Sequence, residues 1–331
     1  MAENVSSEMA ADRHSRSDPS GVTLNNTVIL LTRIFSFTMI AWVLVFLVSN
    51  YLNFWLEWPG VPKLMASIGM SGSEPLNNPI VGQDAFKAWF QLALYVLALV
   101  FSVFWVKKTP DVSMQENSEM FSDITAYLIR ACYWSVLLVG VVDLFISFLR
   151  VEDMLVGIFG KQLSQDLGRS QFRGERVHFP LILASFVIAY FSRSVGFTWL
   201  ALLIVVAEIQ IVIARFVFSY EQAFMADLVR FWYGALFLFA SPYTLLHDGH
   251  VRVDILYASF SMRGKAWCNA LGSVWLGIPL CWIILTQGMW GKFSVINGPL
   301  LTYEVTQAGF GLYVKYWLAV FLMVFAVTMM V

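Results

Sequence analysis

Residues 245–257, LLHDGHVRVDILY, set His247, Asp248, His250, Arg252 and Asp254 within eight positions between long apolar runs. Imidazoles and carboxylates at that density are the raw material of a metal site, a haem site or a proton relay. A zinc site needs three or four convergent ligands, and no cysteine or glutamate-rich set stands nearby. The four histidines are His14, His178, His247 and His250, and none lies in the middle of a span, where facing helices would hold haem. No cofactor or metal is expected on these grounds. The architectural reading is stronger. Gly249 can take the left-handed conformation that ends a helix. If a helix then resumes, His250 and Asp254 are four apart and meet, while Val251 and Ile255 share an apolar face. Arg263 and Lys265 follow at the next membrane entrance, so the stretch reads as a basic amphipathic connector on the cytoplasmic face.

A second candidate is Glu208, in LLIVVAEIQIVIARFVF, about eleven residues into its helix and so near mid-bilayer at 1.5 Å per residue. A bare charge there costs on the order of 3 kcal/mol. Glu208 is therefore either protonated or faces protein. Arg215 is on nearly the same helix face but about 10 Å along the axis, too far to pair. Gln210 adds a second polar group for interhelical hydrogen bonding. Interhelical contact is preferred to an ion site, because transport sites need broken helices and several convergent oxygens. Arg130 and Asp143 share one helix but are too distant to be partners, so each snorkels or meets another helix.

The elements that must position these groups are membrane helices. The 331-residue chain is 59% hydrophobic and 13% charged, where a soluble domain carries about 25% charged residues. Thirteen Trp and 28 Phe fit bilayer interfaces. A net charge of −1 provides no basic surface for nucleic acid. Cys132, Cys268 and Cys281 lie in apolar runs and read as small buried hydrophobes. About 20 apolar residues are needed per crossing. Residues 28–54, 85–106, 124–149, 197–218, 229–246, 266–290 and 312–331 qualify. Residues 179–192 are short for a span, and cross by thinning the bilayer or lie partly re-entrant. The expected class is all-α and polytopic, with about eight spans and seven as the alternative. Residues 1–26 are polar, lack the pattern of a secretory leader, and are expected to form a cytoplasmic tail without order. Residues 151–167 have apolar positions at helical spacing, fitting a helix on the membrane surface or an amphipathic linker packed on other helices. Lys and Arg counts place both termini in the cytoplasm. Against this, Arg150, Lys161, Arg169, Arg173 and Arg176 then fall outside, alongside four acidic residues.

The connector carries a resemblance. LLHDGHVRVDILYASFSMRGKAWCNALG resembles the signature connector of the small, Q-type permease subunit (DctQ) of tripartite ATP-independent periplasmic (TRAP) transporters. ARFVF at 214–218 is similar to the end of that family's first helix. MADLVRFWYGALFLFASPYTLL is similar to its second, which opens with acids followed by an arginine, and GLYVKYWLAVFLMV to its last. Asp227 and Arg230 occupy the acid and arginine positions, three apart and able to pair. Ala226 stands where the family commonly has another acid. The resemblance covers 197–331, whose four spans would form the Q-type bundle. Residues 27–196 would be a membrane extension of three to four spans, as in the family's long forms.

The resemblance implies a bacterial inner-membrane scaffold with no catalytic residues. Its partners would be a large (M-type) permease subunit, a periplasmic substrate-binding protein and membrane lipid. The complex would import a small organic anion, a carboxylate in many members, driven by a sodium gradient. His250, Arg252 and Asp254 would shape the cytoplasmic side. Arg215 would lie at a helix end, and Asp227 with Arg230 near the periplasmic face where the binding protein docks. Two rivals remain: a membrane anchor of a haem or quinone redox complex, and a stand-alone carrier using Glu208.

Overall fold

The computed structural model describes residues 26–70, 80–192, 196–246, 257–306 and 309–331. Every regular element among them is helical. In chain order they are α1 (Asn26–Phe54), α2 (Gly60–Ser67), α3 (Gln83–Lys108), α4 (Met114–Val151) and α5 (Leu155–Leu167). Then come α6 (Ser170–Phe191), α7 (Phe197–Phe218), α8 (Ala223–Leu246), α9 (Met262–Gly288), α10 (Asn297–Thr302) and α11 (Lys315–Met330). Seven of these are long and apolar enough to cross a bilayer, and α11, at 16 residues, is a shorter eighth. A cleft lined by Arg33 and Ser36 of α1, Asn117 and Phe121 of α4 and Met330 of α11 gathers those helix ends at one end of the bundle.

Two boundaries differ from the sequence expectation for physical reasons. The short apolar run at 179–192 is the second half of a 22-residue helix that starts at Ser170. Its first turns carry Arg173, Glu175, Arg176 and His178, charges that a hydropathy reading assigns to a loop. They continue the helix because Arg173 and His178 are fully buried against partners. At its other extreme, α4 runs 38 residues, about 57 Å, and so begins well outside a hydrocarbon core about 30 Å thick. Its start is fixed by a capping box. Ser113 Oγ accepts the Glu116 N–H at 3.1 Å, and Glu116 accepts the Ser113 N–H at 2.8 Å.

Helix α5 has a break at Gly160, where φ is 78° and only glycine is unstrained. Leu155 and Leu167 pack beneath it with Ile146 of α4, while Val156, Ile158 and Phe159 stay exposed. One face of α5 thus packs on protein while an apolar face stays open.

The main core is built around α8. Phe224, Leu228, Phe231, Trp232 and Phe239 pack against Tyr133, Val136 and Val139 of α4, Leu200 and Ala207 of α7, and Phe321 of α11. A second cluster joins Val43 of α1 to Cys281 and Leu285 of α9 and Ala326 of α11. Both clusters cross residue 197. Polar bonds between helices add to the packing, as membrane interiors favour. Asn50 Nδ2 donates to the Met289 carbonyl at 2.8 Å, Gln91 Nε2 to Asn53 Oδ1 at 2.8 Å, and Tyr127 to the Phe186 carbonyl at 2.9 Å.

Gly140 lies at a close approach of α4 and α8. A Cβ there would stand 2.6 Å from Trp232 Nε1, an indole already donating to the Val136 carbonyl at 3.3 Å. Gly140→Ala is therefore expected to destabilise the bundle by about 1–3 kcal/mol through overpacking. Thermal unfolding in detergent measures this. Gly157→Ala, with nothing within 4 Å of its added Cβ, serves as the control.

Candidate functional site

The turn that precedes α11 is clamped from two sides. Backbone N–H groups outside regular helix need acceptors when buried, and two carboxylates supply them. Asp143 Oδ2 of α4 accepts the Tyr313 N–H at 2.7 Å, and Asp227 Oδ2 of α8 accepts the Leu312 N–H at 3.2 Å. The Gly311 carbonyl in turn receives Arg150 Nη2 at 3.0 Å and lies 3.5 Å from Ser147 Oγ. Three consecutive residues are thus held by groups from α4 and α8.

Asp143 is also the centre of a fully buried ionic cluster. Its Oδ1 accepts Arg173 Nη1 at 2.7 Å and His178 Nε2 at 3.1 Å, and all three side chains are wholly buried. Arg173 is satisfied further by Ser147 Oγ at 3.1 Å and the Leu167 carbonyl at 2.9 Å. Two guanidiniums lie against the Tyr313 ring, Arg173 at 4.1 Å and Arg150 at 4.4 Å from its centroid. Such cation–π contacts gain strength where water is excluded. The Tyr313 hydroxyl reaches the Gly168 carbonyl at 2.9 Å.

The histidine tautomer follows from its neighbours. Trp317 Nε1 lies 3.2 Å from His178 Nδ1, and an indole N–H can only donate. Nδ1 is therefore the acceptor, and Nε2 carries the hydrogen taken by Asp143. Tyr316 Oη stands 2.6 Å from the same Nδ1.

Gly174 makes the approach feasible. It opens a π-helical turn, Gly174–His178, and a Cβ on it would meet Tyr303 Cε1 at 2.5 Å and Tyr316 Oη at 3.0 Å. Such single-turn insertions recur at functional positions. At the rim Tyr303 Oη is 3.5 Å from Glu175, and burial together with that carboxylate raises the Tyr303 phenol pKa. Glu304 pairs with Lys315 at the start of α11.

Chemically this arrangement holds charge and fixes geometry. The Asp143–His178–Tyr316 line has the order of a proton relay, but all three side chains are buried away from solvent. Among the described residues no group of three or more His, Cys, Asp or Glu side chains is placed to hold a metal ion.

Residues singled out in the sequence are dispersed. Asp227 is buried, and Arg230 Nη1 is 3.5 Å from its Oδ1, with the arginine side chain 70% exposed. Asp227 has the further contact with Leu312 that the sequence did not suggest. Glu208, Gln210 and Arg215 all lie on exposed parts of α7. His250, Arg252 and Asp254 lie outside the described residues. Arg173 and His178 were legible only as loop charges. The signal that places them is the stripe Gly174, His178, Ser185 and Ala189, small or polar residues at helical spacing and all buried.

Comparison with known proteins adds one match. Residues 201–331 match the family model described as Tripartite ATP-independent periplasmic transporters, DctQ component. No curated protein and no solved structure matches the chain. The region that contributes Asp227, the Gly311–Tyr313 turn and Tyr316 is thus similar to the DctQ component of tripartite ATP-independent periplasmic transporters, in a chain where four further membrane-length helices precede it.

Proposed function

We propose that this chain is the small permease subunit of a TRAP transporter, a fixed membrane scaffold rather than the moving, substrate-holding part. The family match over 201–331 carries this reading. In the outer helices of that region, only 11% of the most apolar stretch is buried in α7 and in α9, against 44% in α8. Faces left open on that scale suit a protein that packs its helices against another membrane subunit. The partner in this reading is a large permease subunit that holds the substrate and coupling-ion sites. A periplasmic binding protein delivers a small organic anion, such as a carboxylate, and a sodium gradient drives import.

The chain would sit in the bacterial inner membrane with both termini cytoplasmic. Lys107, Lys108, Arg263 and Lys265 then face the cytoplasm as the positive-inside rule asks. In this reading Arg150 and Arg173, both tied into the buried cluster, would lie toward the opposite side. His250, Arg252 and Asp254 would shape the cytoplasmic connector. Asp227 and Arg230 would lie near the periplasmic docking face. The four preceding spans would enlarge the scaffold.

The test is co-purification. The tagged chain is expressed with its native neighbouring genes, extracted in mild detergent, and its partners are identified. A stoichiometric, many-span permease is the expected companion. Recovery of the chain alone, or with a coloured redox subunit, would overturn the proposal.

A further inference from the structure

Glu208 has a position that the fold itself leaves unresolved. It lies near the middle of α7, about 16 Å from either end at 1.5 Å per residue. Helix α7 packs on α8 through Leu200, Leu203, Ile204, Ala207 and Ile211. Glu208 lies about a quarter turn away from that stripe and is exposed. Among the described residues no hydrogen bond or ion pair is made to it. The neighbours on its open flank, Val205 and Val212, are more than half exposed at 54% and 51%. A carboxylate therefore projects from the outside of the bundle at the depth where hydrocarbon offers nothing to solvate it.

We infer that the Glu208 flank of α7 is a docking surface for a transmembrane helix of the large permease that presents a hydrogen-bond donor at mid-membrane depth. The inference rests on the proposed function for the identity of the partner. Charge complementarity selects the occupant. A lipid tail offers the carboxyl group no polar partner, and a second copy meeting through the same flank offers only another acid. A helix carrying Arg, Lys, His, Asn, Gln, Ser or Thr opposite Glu208 satisfies it and anchors the register of the two subunits. The interhelical contact expected of Glu208 is in this inference one between chains.

The experiment uses the full chain co-expressed with its neighbouring permease. A photo-crosslinking residue replaces Val212, one turn beyond Glu208 on the same flank. In parallel Glu208→Leu and Glu208→Gln are compared with wild type for permease retained through detergent washing. The expected result is a crosslink to the permease and about a tenfold loss of retained permease for Glu208→Leu. A smaller loss is expected for Glu208→Gln, whose amide still accepts and donates. Because Glu208 is exposed and lies off the stripe that packs on its own core, both variants should keep the wild-type melting profile as isolated chains. If wild type retains the permease and Glu208→Leu retains as much, this surface is wrong while the functional reading stands. A crosslink only to lipid or to a second copy overturns it likewise. If wild type retains no permease, the functional reading falls, and the partner named here falls with it.

Discussion

Asp143→Asn is expected to destabilise the protein by about 3–5 kcal/mol, the scale of breaking a buried charge pair from one side. Asparagine matches aspartate in shape but not in what this site demands. Both carboxylate oxygens accept, Oδ1 from Arg173 and His178 and Oδ2 from the Tyr313 N–H. An amide has one acceptor oxygen, so its NH2 group must face a donor whichever way it turns. Arg173 is left as a buried, uncompensated cation.

The measurement is the thermal midpoint of the purified protein in detergent, with Asp143→Asn, Arg173→Met and the double variant run as a cycle. The double variant should lose less than the sum of the two singles, because removing both charges leaves neither stranded. Additive losses would show that the two side chains act separately and that the short 2.7 Å contact contributes little. A double variant matching wild type would mean the pair sets specificity of packing rather than stability.

The sequence made some of this legible and concealed the rest for definable reasons. The spans were readable because twenty-residue apolar runs have few other uses in a chain with so little charge. The connector and the acid–arginine helix start pointed to the DctQ region through short motifs, and the match at 201–331 agrees with them. The buried cluster was hidden because hydropathy scores each charge alone. Arg173 and His178 carry the same penalty in a window whether they face water or pair with Asp143, 30 and 35 positions away. The pairing that removes the penalty is tertiary. Asp143 shows the same limit, since its spacing from Arg130 excludes one partner without naming the right one. Glu208 is the opposite case: its place near the middle of α7 was legible from the sequence, but which way it pointed depends on which face of α7 meets α8.

The same cluster argues that the region matching the family does not stand by itself here. A chain beginning at Phe197 is expected to fail to form the bundle described above, even though it contains the whole matched region. Helix α8 would lose Tyr133, Val136, Val139 and the close approach at Gly140, leaving Phe224, Leu228 and Trp232 without their packing on α4. The turn before α11 would keep Asp227 but lose Asp143, Ser147 and Arg150, so the Tyr313 N–H and the Gly311 carbonyl would have no partners from α4. His178, the acceptor for Trp317, would be gone as well. On the opposite seam, α9 and α11 would lose Val43, and the Met289 carbonyl would lose the Asn50 amide. These losses fall on both sides of one short region, and no rearrangement of α7 to α11 replaces a buried carboxylate and two arginines. Expressing residues 197–331 alone should give little monodisperse protein. Co-expressing residues 1–196 as a separate chain should restore it, with the two fragments purifying together. Recovery of 197–331 alone, with a melting point near that of the full chain, would show that the preceding helices are an attachment rather than part of the core.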